Sequence, residues 1–335
     1  MAIIELDCVT KDFKINKIKK GFTGAIKSLF SREYDIKRAV DNISINIERG
    51  ELVGFIGPNG AGKSTTIKML CGILVPTSGR ISVNGRDPSI EREKNAFNIG
   101  VVFGQRSQLY WDLPMDETFD LYKKMYRIEE KRFKRNVEFY VDLLDMQEFF
   151  RRPVKQLSLG QKMRANIAVA LLHDPEIVYL DEPTIGLDIV AKDKMRHFIR
   201  EINKEKKTTV ILTTHDMDDI ENICNKLVMI DKGKIIYDGM LSEFKRAYCH
   251  DNMLIVDFKD SNFVLEDSRL KVIKVEGNRK TIIYDKREIS SGEAISMITR
   301  NNIVNDLTLK EPEIEEVVKK IYEKNSLYYL NNEIS

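Results

Sequence analysis

The stretch Gly57-Pro58-Asn59-Gly60-Ala61-Gly62-Lys63-Ser64-Thr65 constrains this chain more than any other. It follows a short apolar run, Leu52 to Ile56, and precedes Thr66-Ile67-Lys68-Met69-Leu70, which reads as the first turns of a helix. Strand, glycine-rich loop and helix, in that order, is the context in which G-x-x-x-x-G-K-[ST] works as a phosphate cradle. The glycines let the backbone curl so that successive N–H groups point inward, beside the positive end of the following helix. Lys63 is placed to reach the β- and γ-phosphates of a nucleotide and Ser64 to ligate Mg²⁺, with Thr65 near the α-phosphate. A chance glycine-rich turn would not carry both correct flanks.

The 335 residues suffice for one large domain or two ordinary ones. Net charge is +2, so the charge of the whole chain singles out no partner. Cys8, Cys71, Cys224 and Cys249 are scattered, which fits reduced thiols and neither a disulfide frame nor a zinc site. Met1 to Thr10 has no signal-peptide pattern, and no run approaches the ~18 apolar residues that span a bilayer. Service to a membrane is therefore expected from its aqueous side, through a partner.

Ile3 to Val9 and Val40 to Ile47 alternate as strands. Between them, Lys11 to Arg32 is basic, and its Ile15, Ile18, Phe22, Ile26 and Leu29 recur on one helical face, although Gly21 and Gly24 weaken a helix there. Such a segment suits a membrane surface or a docking partner, or else a solvated insertion over an apolar edge. Short strands follow at Arg80 to Val83 and Ile99 to Phe103. From about 106 to 174 the periodicity turns helical and interrupts the strand–helix alternation, so an inserted helical subdomain is expected. Alternation resumes at Ile177 to Leu180 and runs through Thr208 to Thr213 to a hairpin at Leu227 to Tyr237. Repeated strand–helix units imply a largely parallel sheet covered on both faces. Residues 1–245 form one expected domain, and 246–335, with a strand and helix texture but no phosphate loop, a second.

Two further features carry chemistry. The apolar run Ile177 to Leu180 ends in Asp181-Glu182, where a buried parallel strand puts its last residues at the ligand edge of the sheet. Asp181 suits Mg²⁺, usually through a water, and Glu182 is placed to polarise an attacking water. Upstream, Leu157-Ser158-Leu159-Gly160-Gln161 opens a periodic helix that Ser158 can cap, leaving backbone N–H groups bare at a second anion-binding terminus. One chain has no need of two phosphate seats around one nucleotide, whereas two copies packed head to tail do.

With these residues in place, residues 1 to about 248 resemble the nucleotide-binding subunits of ABC transporters. The resemblance implies an α/β P-loop NTPase of ABC type: a RecA-like core with an inserted helical subdomain and an antiparallel β subdomain, followed here by a small α+β domain. ATP and Mg²⁺ are implied as cofactors. Gly57 to Thr65 resembles Walker A, with Gly57, Pro58, Asn59, Gly60, Ala61, Gly62, Lys63, Ser64 and Thr65 around the phosphates. Asp181 and Glu182 are similar to the Walker B pair. Gln105 resembles the Q-loop glutamine, a sensor of Mg²⁺ and water beside the membrane subunit. Ser158, Gly160 and Gln161 lie in what looks like the signature, with Ser158 and Gly160 meeting the γ-phosphate of an opposing subunit. Asp188 resembles the D-loop aspartate across the dimer seam, and His215 the switch histidine on the γ-phosphate. Tyr34, 29 residues before Lys63, is near the family spacing for the aromatic that stacks on adenine, with Phe13 or Phe30 serving if the insertion changes the register. Leu159 departs from the family, whose signature has two adjacent glycines. Ser158 and the second glycine remain, so hydrolysis is expected to survive.

The run Gly54 to Gly62, the basic insertion before Tyr34, Phe103 to Leu109 and Leu157 to Gln161 resemble the type 2 exporter branch, which moves drugs, viologen-like cations, polysaccharides or lipids. That resemblance implies a separate transmembrane permease, a nucleotide-dependent homodimer or pairing with a related subunit, a peripheral place on the cytoplasmic face, and no nucleic acid. In that branch a C-terminal extension like this one implies a dimerising or regulatory role. The rival is a soluble ABC ATPase acting on ribosomes or nucleic acid. Translation-factor relatives usually carry two cassettes, and chromosome-type relatives need long heptad arms that this chain lacks. Glu182 and His215 argue against a third reading, a regulator without turnover.

Overall fold

The computed structural model describes residues 2–16, 34–104, 107–260, 263–265 and 267–333. The chain divides into two units, Met1–Gly239 and Met240–Ser335. Among the described residues no helix is long and apolar enough to cross a membrane.

The first unit contains two sheets. One is antiparallel and joins β1 (Ala2–Asn16), β2 (Tyr34–Glu48) and β4 (Ser78–Val83) in the order β2-β1-β4. The other joins β3 (Leu52–Ile56), β5 (Ile99–Phe103), β6 (Ile177–Asp181), β7 (Thr209–Thr213), β8 (Lys226–Asp231) and β9 (Lys234–Met240). Its order is β5-β6-β7-β3-β8-β9. The pairs β5–β6, β6–β7, β7–β3 and β3–β8 are all parallel. All five residues of β3 and of β7 are buried, as expected of strands covered on both faces. Each fully buried aliphatic side chain there contributes about 1.5–3 kcal/mol.

Parallel pairing decides where the chemistry goes. β6, β7 and β3 lie side by side and point the same way, so their C-terminal ends share one edge of the sheet. The phosphate loop leaves the end of β3, Asp181 ends β6, and His215 follows the end of β7. Residues distant in the chain thus meet at the edge where open α/β sheets hold ligands.

The N-terminal strands run further than their alternation suggested. Lys11 to Asn16 continues β1, opposite Tyr34 to Val40 of β2. Phe13 and Ile15 are therefore spaced by the strand period of two, and the helical face expected from Lys11 onward does not begin there. Its remainder, 17–33, lies outside the described residues.

The helices of the first unit are α1 (Lys63–Leu70), α2 (Arg92–Ala96), α3 (Met115–Met125), α4 (Glu130–Leu143), α5 (Leu159–Leu171), α6 (Ile189–Lys206) and α7 (Met217–Ile223). α3, α4 and α5 occupy the expected helical insertion. His173, just past α5, ties it to the sheet. Its ring stacks on Tyr126 at 3.9 Å between centroids, and Nε2–H donates to the Ile99 carbonyl at the start of β5 at 3.1 Å. Burial pushes the His173 pKa down to about 4, so the ring is held neutral.

The unfolded chain takes up that proton near pH 6.5, the folded chain only near 4, so protons favour unfolding throughout that interval. Lowering the pH from 7 to 5 is expected to remove about 2 kcal/mol of stability through His173. Chemical denaturation of wild type and His173→Asn at the two pH values measures it. Equal losses in both would show that His173 is not the source.

The second unit is an antiparallel sheet of β10 (Asp251–Phe258), β11 (Lys271–Glu276), β12 (Arg279–Asp285) and β13 (Val304–Lys310), ordered β11-β12-β10-β13. Its helices are α8 (Leu241–Tyr248), α9 (Ser291–Asn301) and α10 (Ile314–Glu333). A reciprocal cap between Ser290 and Glu293 starts α9, whose Ala294 and Ile298 join Leu254, Val256, Phe258 and Ile282 in a core of their own. This is the small α+β unit expected after the phosphate-loop domain. It begins at Met240 and takes α8 with it, a little before the expected boundary at 246.

Candidate functional site

A cleft of about 560 Å³ opens at the shared strand edge. Asn59, Gly60, Gly62, Lys63, Ser64 and Thr65 line one side, and Asp181, Glu182 and His215 another. Phe13, Ile15, Lys37 and Ala39 of β1 and β2 line the rest. Phe13 is thus the aromatic at the cleft. Tyr34 is not among its lining residues; it is exposed at the far end of the hairpin, beneath the Lys14 ammonium at 4.7 Å. Phe30 lies outside the described residues.

The loop is braced from outside. Gly233 N–H donates to the Ala61 carbonyl at 2.9 Å, and Ala61 N–H to the Pro58 carbonyl at 3.1 Å. The Lys63 ammonium is held by the carbonyl oxygens of Gly57 and, at 3.2 Å, Pro58. Burial lowers the Lys63 pKa, and the charges of Glu182 and Asp181 oppose this. An ammonium folded onto its own loop, beside the N-terminal end of α1, suits an incoming phosphate.

Across the cleft, the Thr213 hydroxyl donates to Asp181, fixing that carboxylate beside the neighbouring strand. Glu182 N–H donates to the Thr213 carbonyl at 2.8 Å. Glu182 takes a left-handed backbone, φ 54°, which is uncommon for a side chain of its size. Its Oε1 lies 3.0 Å from His215 Nε2. Burial raises the Glu182 pKa, Asp181 adds to the rise, and His215 works against it. A partly buried carboxylate with a raised pKa, touching a histidine and facing a phosphate loop, can accept a proton from water.

Residues 40–185 match the ABC transporter family. The ABC transporter ATP-binding protein NatA of Bacillus subtilis is 34% identical over 63% of this chain and 86% of that protein. The bacitracin transport ATP-binding protein BcrA of Bacillus licheniformis is 29% identical over 87% of this chain and 94% of its own length. Among solved structures, a dimeric ATP-binding cassette in a post-hydrolysis state with ADP and Pi is 26% identical, with a TM-score of 0.59, over 71% of this chain and 98% of that one. This chain is an ATP-binding subunit of the ABC transporter family. The family is that of ATP-hydrolysing cassettes, and the P-loop α/β fold with its helical insertion agrees.

In this ABC ATPase the residues expected to form the signature, Ser158, Gly160 and Gln161, are not among those lining the cleft. Ser158 and Gln161 are occupied with each other at the start of α5. Gln161 N–H donates to Ser158 Oγ at 3.2 Å, and Ser158 N–H to Gln161 Oε1 at 2.9 Å. Leu159, in place of the family's first glycine, is exposed and leans on Gly186, where an added Cβ would lie 2.8 Å from Leu159 Cδ2. Gly186 also has φ +70°, a backbone conformation that favours glycine. Asp188 caps α6 by accepting from Ala191 N–H at 2.8 Å. Gln105 lies outside the described residues.

Ser64 and Asp181 face the same cleft, as holders of a magnesium ion bound to nucleotide phosphates would. Few protein ligands are needed, because Mg²⁺ keeps waters and phosphate oxygens around it. Among the described residues there is no cluster of three His, Cys, Asp or Glu side chains that would hold a metal without the nucleotide.

One buried carboxylate escaped the sequence reading. Asp219, fully buried in α7, accepts from Arg196 Nε at 2.6 Å and from the Thr184 hydroxyl, and lies 3.4 Å from the Thr214 hydroxyl. In the sequence it is one of several acids at a helix start, and only burial singles it out.

Proposed function

We propose that this chain drives export through a separate membrane permease, as one half of an ATP-operated clamp on the cytoplasmic face. The observation that carries this reading is the division of the motifs. The phosphate loop, Asp181, Glu182 and His215 converge on one cleft, while Ser158, Gly160, Gln161 and Asp188 lie outside it. Half a nucleotide seat is thus present in one copy, and the family signature offers the other half to a second. Two copies, or this chain and a related subunit, would each close the other's ATP.

Lys63 and the loop N–H groups hold the phosphates, and Phe13 is the platform for the adenine ring. Ser64 and Asp181 would hold Mg²⁺, which neutralises charge on the phosphates when bound. Gln105 is assigned to sense that metal and water beside the permease. Glu182 takes the proton of the attacking water, and His215 orients both Glu182 and the terminal phosphate. There is little covalent work for the protein: position and charge carry the rate. Transport as the work of the clamp draws support from relatives such as the bacitracin transport ATP-binding protein.

A pull-down from detergent-solubilised membranes, using the Glu182→Gln chain with ATP to keep the clamp shut, tests the reading. A multispanning protein in the eluate is the expected outcome. Ribosomal proteins, or an eluate free of membrane protein, would replace it with the soluble ABC ATPase reading.

A further inference from the structure

We propose that Asp219 is a positioning residue for ATP hydrolysis, whose buried carboxylate locks the segment carrying Glu182 to the segment carrying His215. The proposal rests on the assignment of Glu182 as the base. Thr184 lies two residues after Glu182, and its hydroxyl donates to Asp219 Oδ2. Thr214 immediately precedes His215, and its hydroxyl reaches the same oxygen at 3.4 Å. One carboxylate oxygen therefore bridges the two loops whose tips meet at the 3.0 Å contact of Glu182 with His215.

The tether has something to hold. Glu182 sits at φ 54°, a backbone conformation that side-chain-bearing residues adopt only when their surroundings impose it. On one side Glu182 N–H is bonded to the Thr213 carbonyl; on the other, two residues on, Thr184 is bonded to Asp219. Freed of either anchor, the peptide can relax and carry the carboxylate away from His215.

A fully buried carboxylate also needs a cation, and Arg196 supplies it from α6. The same guanidinium reaches Asp216 Oδ1 at 3.5 Å, and Lys192 reaches Asp216 Oδ2 at 2.5 Å. Asp216 N–H in turn donates to the Thr214 hydroxyl at 3.0 Å. The loop that carries His215 is therefore fixed from both flanks by one charged network, and Asp219 is its buried member. None of these groups lines the nucleotide cleft, so Asp219 acts through Glu182 and His215 and touches no substrate.

Steady-state and single-turnover ATP hydrolysis by the full chain tests this, with wild type, Asp219→Asn, Thr184→Val, Glu182→Gln and the double variant Asp219→Asn with Glu182→Gln. Asp219→Asn is expected to lower kcat at least tenfold while leaving KM for ATP within about twofold. Thr184→Val keeps the Asp219–Arg196 pair and loses kcat by a smaller factor in the same way. The double variant is expected to be no slower than Glu182→Gln alone, because a positioning residue has nothing left to position. A rise in KM matching the fall in kcat, or the same further loss on the Glu182→Gln background, would reduce Asp219 to a packing residue. Should Asp219→Asn not fold, an unchanged kcat in Thr184→Val overturns the proposal by itself. Failure of the underlying base assignment is seen separately, as full activity in Glu182→Gln.

Discussion

Glu182→Gln is expected to bind ATP as the wild-type chain does and to hydrolyse it at least a hundredfold more slowly. Glutamine matches glutamate in shape and meets the same left-handed backbone at φ 54°, so the fold is spared. The phosphate loop, Ser64 and Asp181 are untouched, so the phosphates keep their seat. What disappears is the only carboxylate in contact with His215 among the described residues. Loss of a positioned general base costs about 10²–10⁴ in rate. Nucleotide affinity by titration and turnover by phosphate release, on one preparation, separate the two effects. Turnover near the wild-type rate would move the base elsewhere. Weakened ATP binding would mean that Glu182 supports the nucleotide instead of the water.

The second large effect belongs to Gly62→Ala, for which ATP affinity should fall at least a hundredfold. Gly62 stands at the start of α1 with φ 114° and ψ −4°, outside the regions open to alanine. An added Cβ would also sit 2.6 Å from the Ala39 carbonyl oxygen and 3.2 Å from Ile230 Cδ1. The Ile230 methyl can turn aside, but the Ala39 carbonyl is backbone and its strand is pinned by the bond from Asp41 N–H to the Gly233 carbonyl at 2.8 Å. The loop must therefore shift away from β2, and its N–H groups lose their common focus. Gly60→Ala is the control. Gly60 also has a positive φ, +83°, but no atom lies within 4 Å of the added Cβ. Left-handed strain of ~1–2 kcal/mol is then the whole cost, about a five- to thirtyfold loss if all of it falls on binding. Equal losses in the two variants would mean that backbone strain, and not the approach to Ala39, closes the loop.

The residues of the phosphate loop and the carboxylates at the cleft were legible because each sits at a fixed offset from a recognisable strand. A Gly-x-x-x-x-Gly-Lys loop after Leu52 to Ile56, or two carboxylates after Ile177 to Leu180, needs no knowledge of which strands are neighbours. The aromatic at the cleft was harder to read, because its place depends on how far β1 runs. The spacing of Ile15 and Ile18 suited a helix as well as Phe13 and Ile15 suited a strand, and only pairing with Lys37 across the hairpin decides between them. Tyr34 had the right distance from Lys63 in sequence but stands opposite Asn16 and is not among the residues lining the cleft. Leu159 was a departure from the signature; its neighbour Gly186, 27 residues on in the chain, cannot be read as a partner from sequence. Asp219 needed a fold before it could be told from its acidic neighbours at 216 and 218.

The place of β3 in the sheet sets a timetable for synthesis. β3 ends at Ile56, yet both of its neighbours, β7 and β8, are made some 150 residues later. At ordinary translation speeds of ~5–20 residues per second, the phosphate loop waits on the order of ten to thirty seconds for the strands that hold it. During that interval an apolar strand with two open edges is a template for the wrong partner. A newborn chain lacks the Gly233 bond that braces the phosphate loop until its hairpin at β8 and β9 has emerged, so nucleotide binding is expected late, as a report that the first unit is whole.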